Sequence, residues 1–177
     1  MKEQYKYVKN FLSLDLVKYF SSLTHFMLQD TKEAKPDGQV PLSHSIHSQD
    51  IIAYRHLLHF LKPRMEEETG LELSPTYCYT RIYLPGCDLK RHKDRAACEI
   101  SASLTMEYNY VDKNYKWPLC MENMPLLIEK GDAVIYKGCE IEHWRPIFTQ
   151  PQPSWHHQVF IHYVNKNGPY KESLEEI

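Results

Sequence analysis

The stretch YLPGCDLKRHKDRAACEISASLTM, residues 83–106, places a His-x-Asp triplet between a Pro-Gly turn and an alternating run of small and apolar residues. In an extended chain, the side chains of residues i and i+2 point to the same face. His92 and Asp94 are therefore able to bind one ion together. The alternative is a solvated loop in which Asp94 pairs with Lys93 or Arg95.

The composition predicts one globular domain without a polyanionic partner. The chain has 177 residues, of which 42% are hydrophobic, and this is enough for a single core. Its 21 Lys and Arg against 23 Asp and Glu give a formal net charge of -2. The basic surface that nucleic-acid binding usually needs is missing, so we expect no nucleic-acid partner. The composition leaves the oligomeric state open.

Cysteine usage and hydropathy indicate a cytoplasmic protein. The five cysteines are odd in number and form no C-x-x-C pair, which is typical of reduced thiols. The sequence opens without a charged segment followed by an apolar one, and no apolar run is long enough to cross a bilayer. We therefore expect a cytoplasmic protein without a membrane partner.

Helical periodicity is confined to the first seventy or so residues. The first helix is predicted in SLDLVKYFSSLTHFM, with Ser13 as its candidate N-cap. Its apolar face is expected to contain Leu16, Val17, Phe20, Leu23 and Phe26.

The second helix is predicted in SQDIIAYRHLLHFLKPRMEEETG. Ser48 is its candidate N-cap and Gly70 its stop. Pro63 lies inside the pattern and is expected to kink the helix or split it in two. The polar segment between the two helices, TKEAKPDGQVPLSHSIHS, is predicted as a loop with room for a short strand.

From Leu71 onward the spacing is that of strands. Short β-prone runs occur in YCYTRIYL, EISASLTMEY, PLLIEKGDAVIYKG and HHQVFIHYV, separated by Pro, Gly, Asn and Asp. Such runs favour a sandwich or jelly roll, a double sheet that holds a small ligand between its faces. We predict a mainly β fold with N-terminal helices (α+β) in one domain over residues 1–177. Residues 1–70 would be a helical support region and residues 71–166 the β core.

A third candidate ligand follows the His-x-Asp triplet at a suggestive distance. About fifty residues later, GDAVIYKGCEIEHWR presents a turn, an apolar strand and His143, and this interval has room for roughly four short strands. A jelly roll would return His143 to a position beside His92 and Asp94. Two histidines and one carboxylate form the facial triad that holds Fe(II) with open positions. The same trio suits zinc, although the H-E-x-x-H motif of many zinc enzymes is absent from the sequence.

From about Leu57 to Val164 the chain resembles the Fe(II)- and 2-oxoglutarate-dependent dioxygenases, and within them the prolyl-hydroxylase-like branch. The matching motifs are FLKPRMEEETGL, RIYLPGCDLKRHKD, SASLTMEYN, GDAVIYKGCEIEH and HHQVFIHYVN. The resemblance implies a double-stranded β-helix, a cupin-like jelly roll, with His92, Asp94 and His143 as iron ligands. It also implies the cofactors Fe(II), 2-oxoglutarate and O2, and hydroxylation of an unactivated C–H bond with release of succinate and CO2.

The residues that would bind 2-oxoglutarate depart from the family pattern. The resemblance assigns Tyr83 a part in seating the cosubstrate, and Arg81 shares its face of the strand; a core aromatic is the other interpretation of Tyr83. The family usually has a cation about ten residues after the distal histidine, where this sequence reads TQPQPSW. Arg145 is the first candidate to replace it and His156 the second. Arg145 is otherwise interpreted as a surface arginine over Trp144.

The substrate is not defined by the sequence. The loop NYVDKNYKWPLCMENM, with its three aromatic residues, suits either a groove for a peptidyl proline or the cover of a small-molecule site. The alternative function is a non-catalytic jelly-roll module that binds a metal or another ligand.

Overall fold

The computed structural model describes residues 1–30, 35–36, 38–47 and 51–174. These residues form two helices, α1 (Leu14–Asp30) and α2 (Ile52–Thr69). They also form the strands β1 (Tyr5–Val8), β2 (Lys35–Pro36), β3 (His44–His47), β4 (Leu73–Tyr83), β5 (Leu89–His92), β6 (Ile100–Asn109), β7 (Leu119–Met121), β8 (Met124–Leu126), β9 (Ala133–Lys137), β10 (His143–Arg145) and β11 (Trp155–Asn165).

The strands form two antiparallel sheets. The larger sheet has the order β1-β9-β6-β11-β4-β3-β2, and the smaller sheet has the order β5-β10-β7-β8. The four β-prone runs of the sequence lie in β4, β6, β8 with β9, and β11. The predicted mainly β, jelly-roll-like fold is therefore confirmed.

The first seventy residues supply strands as well as helices. β1 pairs with β9, while β3 pairs with β4 and extends the opposite side of the same sheet. Residues 1–70 are therefore continuous with the β core through hydrogen bonds. The division into a helical support region and a β core stays a prediction.

The first helix begins as the sequence indicates. Ser13 Oγ accepts a long hydrogen bond of 3.4 Å from the backbone N–H of Leu16. Val17 and Phe20 are buried, but Phe26 is 64% exposed. Phe26 therefore lies outside the apolar face, which continues to Met27, and its predicted place on that face is wrong.

The second helix continues through Pro63 instead of splitting there. It ends at Gly70, whose φ of 69° is left-handed and whose N–H donates to the carbonyl of Glu66. The candidate cap Ser48 lies outside the described residues, and Ile51 leads into the helix without a side-chain cap. Neither α1 nor α2 is at once long and apolar enough to cross a membrane.

The two faces of the larger sheet have different surroundings. On β11, Val159, Ile161 and Tyr163 belong to the core formed with the helices, whereas Phe160 belongs to a cluster on the opposite face. Alternation then places His156, Gln158 and His162 on the face of Phe160, toward the smaller sheet. The Tyr163 hydroxyl ties this sheet to α2 by donating to the carbonyl of Leu58 at 2.6 Å.

Replacement of Tyr163 by Phe should lower the free energy of unfolding by about 1–3 kcal/mol, because the buried carbonyl of Leu58 loses the hydroxyl that donates to it. Urea denaturation measures the change. The control is Tyr19→Phe, at an exposed position, which should stay within about 0.5 kcal/mol of the wild type. Equal stability of the two variants would contradict the stabilising role of the hydrogen bond from Tyr163 to Leu58.

Candidate active site

The three predicted metal ligands lie together between the sheets. His92 ends β5 and His143 begins β10, and the two are direct partners in the antiparallel register. Nε2 of His92 and Nε2 of His143 lie 3.6 Å and 3.5 Å from Asp94 Oδ1. One ligand atom from each residue lies within 4.8 Å of the others. Asp94 therefore faces the two histidines, as a metal-binding triad requires.

Backbone carbonyls orient both histidine rings. Nδ1 of His92 is 2.8 Å from the carbonyl oxygen of Lys90, and Nδ1 of His143 is 3.3 Å from that of Ile141. A carbonyl oxygen only accepts, so each Nδ1 carries a hydrogen and, in a neutral ring, each Nε2 carries the lone pair. Metal-binding histidines usually have this arrangement.

The charges of the triad favour a bound cation. Burial raises the pKa of Asp94. The hydrogen bond with His92 and the charges of the neighbouring histidines lower this pKa by more than burial raises it, so it lies below its usual value. Burial lowers the pKa of His143. For His92, burial lowers the pKa, while hydrogen bonds to Asp94 and to the Lys90 carbonyl outweigh it and raise the pKa. An ionised carboxylate and the imidazole lone pair of His143 fit a divalent metal ion, which would replace the proton that Asp94 favours on Nε2 of His92.

Gly138 holds Asp94 in place, a role that the sequence did not indicate. Its carbonyl accepts the N–H of Asp94 at 2.9 Å. A Cβ at this position would lie 2.3 Å from the carbonyl oxygen of Cys98 and 2.5 Å from Asp94 Oδ2. Only glycine allows this close approach, and no local pattern predicts it because the contact joins distant segments.

The candidate anchor Arg145 is a buried cation. It is 2% exposed, and its Nη1 and Nη2 donate to the carbonyl of Trp117 and to Gln158 Oε1. Its Nε has no hydrogen-bond partner, and none of the ion pairs in the described residues includes it. The arginine that stacks over Trp144 is instead Arg91, at 5.2 Å. A buried guanidinium with only neutral groups around it lacks, among the described residues, the charge partner that usually offsets its desolvation.

Arg81 and Tyr83 lie next to each other on β4. Both are buried, and Arg81 Nη1 donates to the Tyr83 hydroxyl at 3.1 Å. Arg81 also donates to Ser45 Oγ and to Gln39 Oε1. The exposed Gln39 amide nitrogen is in turn 3.0 Å from His92 Nε2, so Gln39 connects this pair with the metal ligands.

His156 uses both of its ring nitrogens. Its Nε2 is 3.1 Å from Gln158 Oε1, which only accepts, and its Nδ1 is 2.7 Å from the Tyr110 hydroxyl. Burial and the charge of Arg145 lower its pKa well below the usual value, so the ring is neutral. Gln158 also donates to Ser103 Oγ at 2.7 Å. No pattern in the sequence indicates a role for Gln158, yet its side chain contacts Arg145, His156 and Ser103.

Similar solved structures identify the fold. No family model and no curated protein matches the sequence. A prolyl-4-hydroxylase from Pseudomonas putida is 17% identical, with a TM-score of 0.66 over 91% of this chain and 93% of that chain. The viral collagen prolyl hydroxylase vCPH of Paramecium Bursaria Chlorella virus-1, in its 2-oxoglutarate complex, is 9% identical, with a TM-score of 0.64 over 92% and 96%.

A third similar structure is that of an enzyme with a different reaction. The alpha-ketoglutarate-dependent epimerase SnoN from nogalamycin biosynthesis is 11% identical, with a TM-score of 0.71 over 93% of this chain and 78% of that chain. The fold is therefore that of the Fe(II)- and 2-oxoglutarate-dependent oxygenases, with prolyl hydroxylases among its relatives in structure. The resemblance predicted from the sequence is confirmed at the level of the fold.

Gly138→Ala should weaken divalent-metal binding at least about tenfold, the lower range seen when groups that orient metal ligands are lost, because the added Cβ displaces Asp94. Calorimetric titration of the metal-free protein with Co²⁺ measures the affinity. Gly38→Ala is the matched control, since a Cβ there has no atom within 4 Å. Unchanged affinity in Gly138→Ala would remove Gly138 from its assigned role.

Proposed function

We propose that this protein is an Fe(II)- and 2-oxoglutarate-dependent dioxygenase that hydroxylates an unactivated C–H bond with release of succinate and CO2. The supporting observation is the presence, inside one jelly roll, of a two-histidine, one-carboxylate cluster and a buried guanidinium without a carboxylate partner. The cosubstrate 2-oxoglutarate needs both features, because it has a chelating oxo acid at one end and a free carboxylate at the other.

The residues of the triad would hold the metal. His92, Asp94 and His143 offer three ligands on one side of an ion and leave its other positions open. When bound, Fe(II) with 2-oxoglutarate and O2 supplies the oxidative chemistry. The protein fixes the ligand geometry and keeps the interior dry, since His143 is 3% exposed.

Arg145 would bind the far carboxylate of 2-oxoglutarate. Its unpartnered Nε leaves donor capacity for the planar, paired contact that guanidinium makes with carboxylate. Thr105 supports this assignment, because it lies opposite Gln158 in the register and its buried hydroxyl has no hydrogen-bond partner. Gln158 would keep the guanidinium in place, and the ring of Trp117 covers it at 4.5 Å.

The other candidates for the cosubstrate site have different tasks in this proposal. Tyr83 lines the same pocket, and its ring centre lies 5.8 Å from the guanidinium carbon of Arg145. Arg81 positions the hydroxyl of Tyr83 by donating a hydrogen bond to it. His156 is neutral and already paired, so it would support Gln158 rather than neutralise a carboxylate.

For the substrate we propose a peptidyl proline, with a small molecule as the alternative. Two of the similar structures are prolyl hydroxylases. Tyr77 and Tyr79 are half-buried on the inner face, with rings parallel to within 13°, and such a surface suits a saturated ring. The loop aromatics Tyr110 and Trp117 are instead buried around His156. We place the activity in the cytoplasm, since the five cysteines form no disulfide bond with one another.

Anaerobic titration with Fe(II) and 2-oxoglutarate tests the proposed function. Chelation of the metal by the oxo acid gives a visible metal-to-ligand charge-transfer band, whereas a jelly-roll module that binds metal alone gives none. Protein with Fe(II) and succinate is the control, because succinate lacks the oxo group. A spectrum unchanged by 2-oxoglutarate would overturn the proposal.

His92→Ala, Asp94→Ala and His143→Ala should each abolish iron-dependent turnover of 2-oxoglutarate while the β fold persists. Asp94→Glu should fail nearly as badly, since catalytic geometry tolerates only about 0.5 Å. Succinate release measures turnover, and circular dichroism checks the fold. The control is the exposed helix histidine, His59→Ala, which should be as active as the wild type. Full activity in a triad variant would remove that residue from the site.

Arg145→Ala should leave Fe(II) binding nearly unchanged but raise the apparent requirement for 2-oxoglutarate by at least about two decades. Loss of a buried charge partner costs about 3–5 kcal/mol, at about 1.4 kcal/mol per decade. Arg145→Lys should restore only part of the affinity for 2-oxoglutarate, because a point charge cannot reproduce the paired hydrogen bonds of guanidinium.

The control for this experiment is Arg91→Ala, at an exposed arginine near β10, with normal cosubstrate dependence expected. If Arg145→Ala is also normal and His156→Ala is not, the anchor is His156. If both are normal, Arg81 is the next candidate.

A further inference from the structure

A second group of possible metal ligands lies beside the triad. It consists of Asp94, Cys98 and His162, with one ligand atom from each within 4.8 Å of the others. Cys98 is 2% exposed and His162 is 3% exposed, so the group is inside the protein. The assigned oxygenase chemistry uses neither Cys98 nor His162.

The hydrogen bonds around His162 leave one nitrogen without a partner. Ser101 Oγ donates to the carbonyl of Cys98 at 3.0 Å and lies 2.8 Å from Nδ1 of His162. The single hydroxyl hydrogen of Ser101 has two oxygen acceptors, that carbonyl and, at 3.4 Å, Asp94 Oδ2. We therefore assign the serine oxygen as the acceptor of a hydrogen from Nδ1. Nε2 then carries a lone pair, is buried, and has no hydrogen-bond partner. A buried acceptor without a donor is rare in proteins and indicates a missing ligand.

The tautomer of His162 is the one that binds metals. A ligating histidine usually donates its other ring N–H to an oxygen that fixes the ring, as Nδ1 of His162 does to Ser101. The rings of Tyr77 and Tyr79 lie 4.6 Å and 5.8 Å from the imidazole and fix its plane. His162 is therefore held in position before any ion arrives.

We propose that Asp94, Cys98 and His162 form a second site, specific for a thiophilic divalent cation such as Zn²⁺. Mixed nitrogen, sulfur and carboxylate ligands suit zinc better than Fe(II). Binding releases the thiol proton of Cys98 to solvent, and the thiolate sulfur then donates an electron pair to the cation. The site does not depend on the oxygenase activity proposed above.

Asp94 connects the two sites and makes them compete. Its Oδ1 lies near His92 and His143, whereas its Oδ2 lies 3.4 Å from Ser101 Oγ on the side of His162. A cation held by Cys98 and His162 draws on the same carboxylate that the triad needs. Zinc in the second site should therefore lower the affinity of the triad for its own metal.

Cobalt binding to the metal-free His143→Ala variant tests the proposal. This variant removes a triad ligand but keeps all three residues of the second site. Co²⁺ should produce the intense near-ultraviolet band of a cobalt–thiolate bond, and the wild type should show the same band with cobalt in excess. Absence of the band from both proteins overturns the proposal.

Variants in the same background identify the ligands. Cys98→Ser should abolish the band, and His162→Gln should weaken cobalt binding at least about tenfold. Cys139→Ser is the control, because Cys139 is a partly buried cysteine outside the group, with its thiol on the carbonyl of Arg95. A band that survives Cys98→Ser but disappears in Cys139→Ser also overturns the proposal.

The two absorption bands distinguish failure of the second metal site from failure of the proposed oxygenase function. A cobalt–thiolate band without an Fe(II)–2-oxoglutarate band supports the second site and rejects the oxygenase. The reverse result rejects the second site and leaves the oxygenase standing.

Discussion

The candidate active site depends on the antiparallel pairing of β5 with β10, which sets His92 directly opposite His143. Because side chains alternate along a strand, a shift of one residue would turn one histidine away from the other. β10 is fixed from its other side as well, since His143 pairs with Met121 of β7. Asp94 follows β5 immediately and is held by the carbonyl of Gly138. The site is thus assembled by backbone hydrogen bonds before any metal binds.

Polar groups around Gln158 form a connected network inside the jelly roll. Gln158 contacts Arg145, His156 and Ser103, and in a low-dielectric interior such satisfied contacts rigidify their surroundings. The exceptions are informative: Arg145 Nε, Thr105 Oγ1 and His162 Nε2 are buried without partners. Thr105 and His162 face the inside of the larger sheet, and Arg145 comes from the smaller one. Three of the six buried side-chain atoms without a hydrogen-bond partner in the described residues therefore lie inside the jelly roll, where a ligand would lie.

Much of the architecture was predictable from the sequence. The long strands alternate clearly, and the structure places four strands, β6 to β9, between β5 and β10, as the spacing of the triad suggested. β5, β7 and β10 have only three or four residues, too few for a periodic signal. β1 joins the sheet through a partner more than a hundred residues away, which no local pattern indicates.

The sequence predicted which three side chains form the cluster, but not the residues that hold them in place. His92, Asp94 and His143 stand in a recognisable motif, whereas the part of Gly138 depends on contacts that exist only after folding. Phe26 shows the opposite error: helical spacing placed it on the apolar face, but no element of the described chain covers it there. Periodicity shows which residues lie on the same face of a helix. A residue on that face is buried only where another helix or strand packs against it.

Two adjacent histidines show how one strand serves both stability and chemistry. His157 faces the helices, with its ring nitrogens on Thr80 and Ser21, and burial lowers its pKa to about 3, so it is a neutral part of the core. His156 points the other way, into the network of Gln158 and Arg145. A register shift of one residue would exchange these positions and bring aliphatic side chains to the guanidinium. The register that keeps the helix-facing core apolar is therefore the same one that keeps the inner pocket polar.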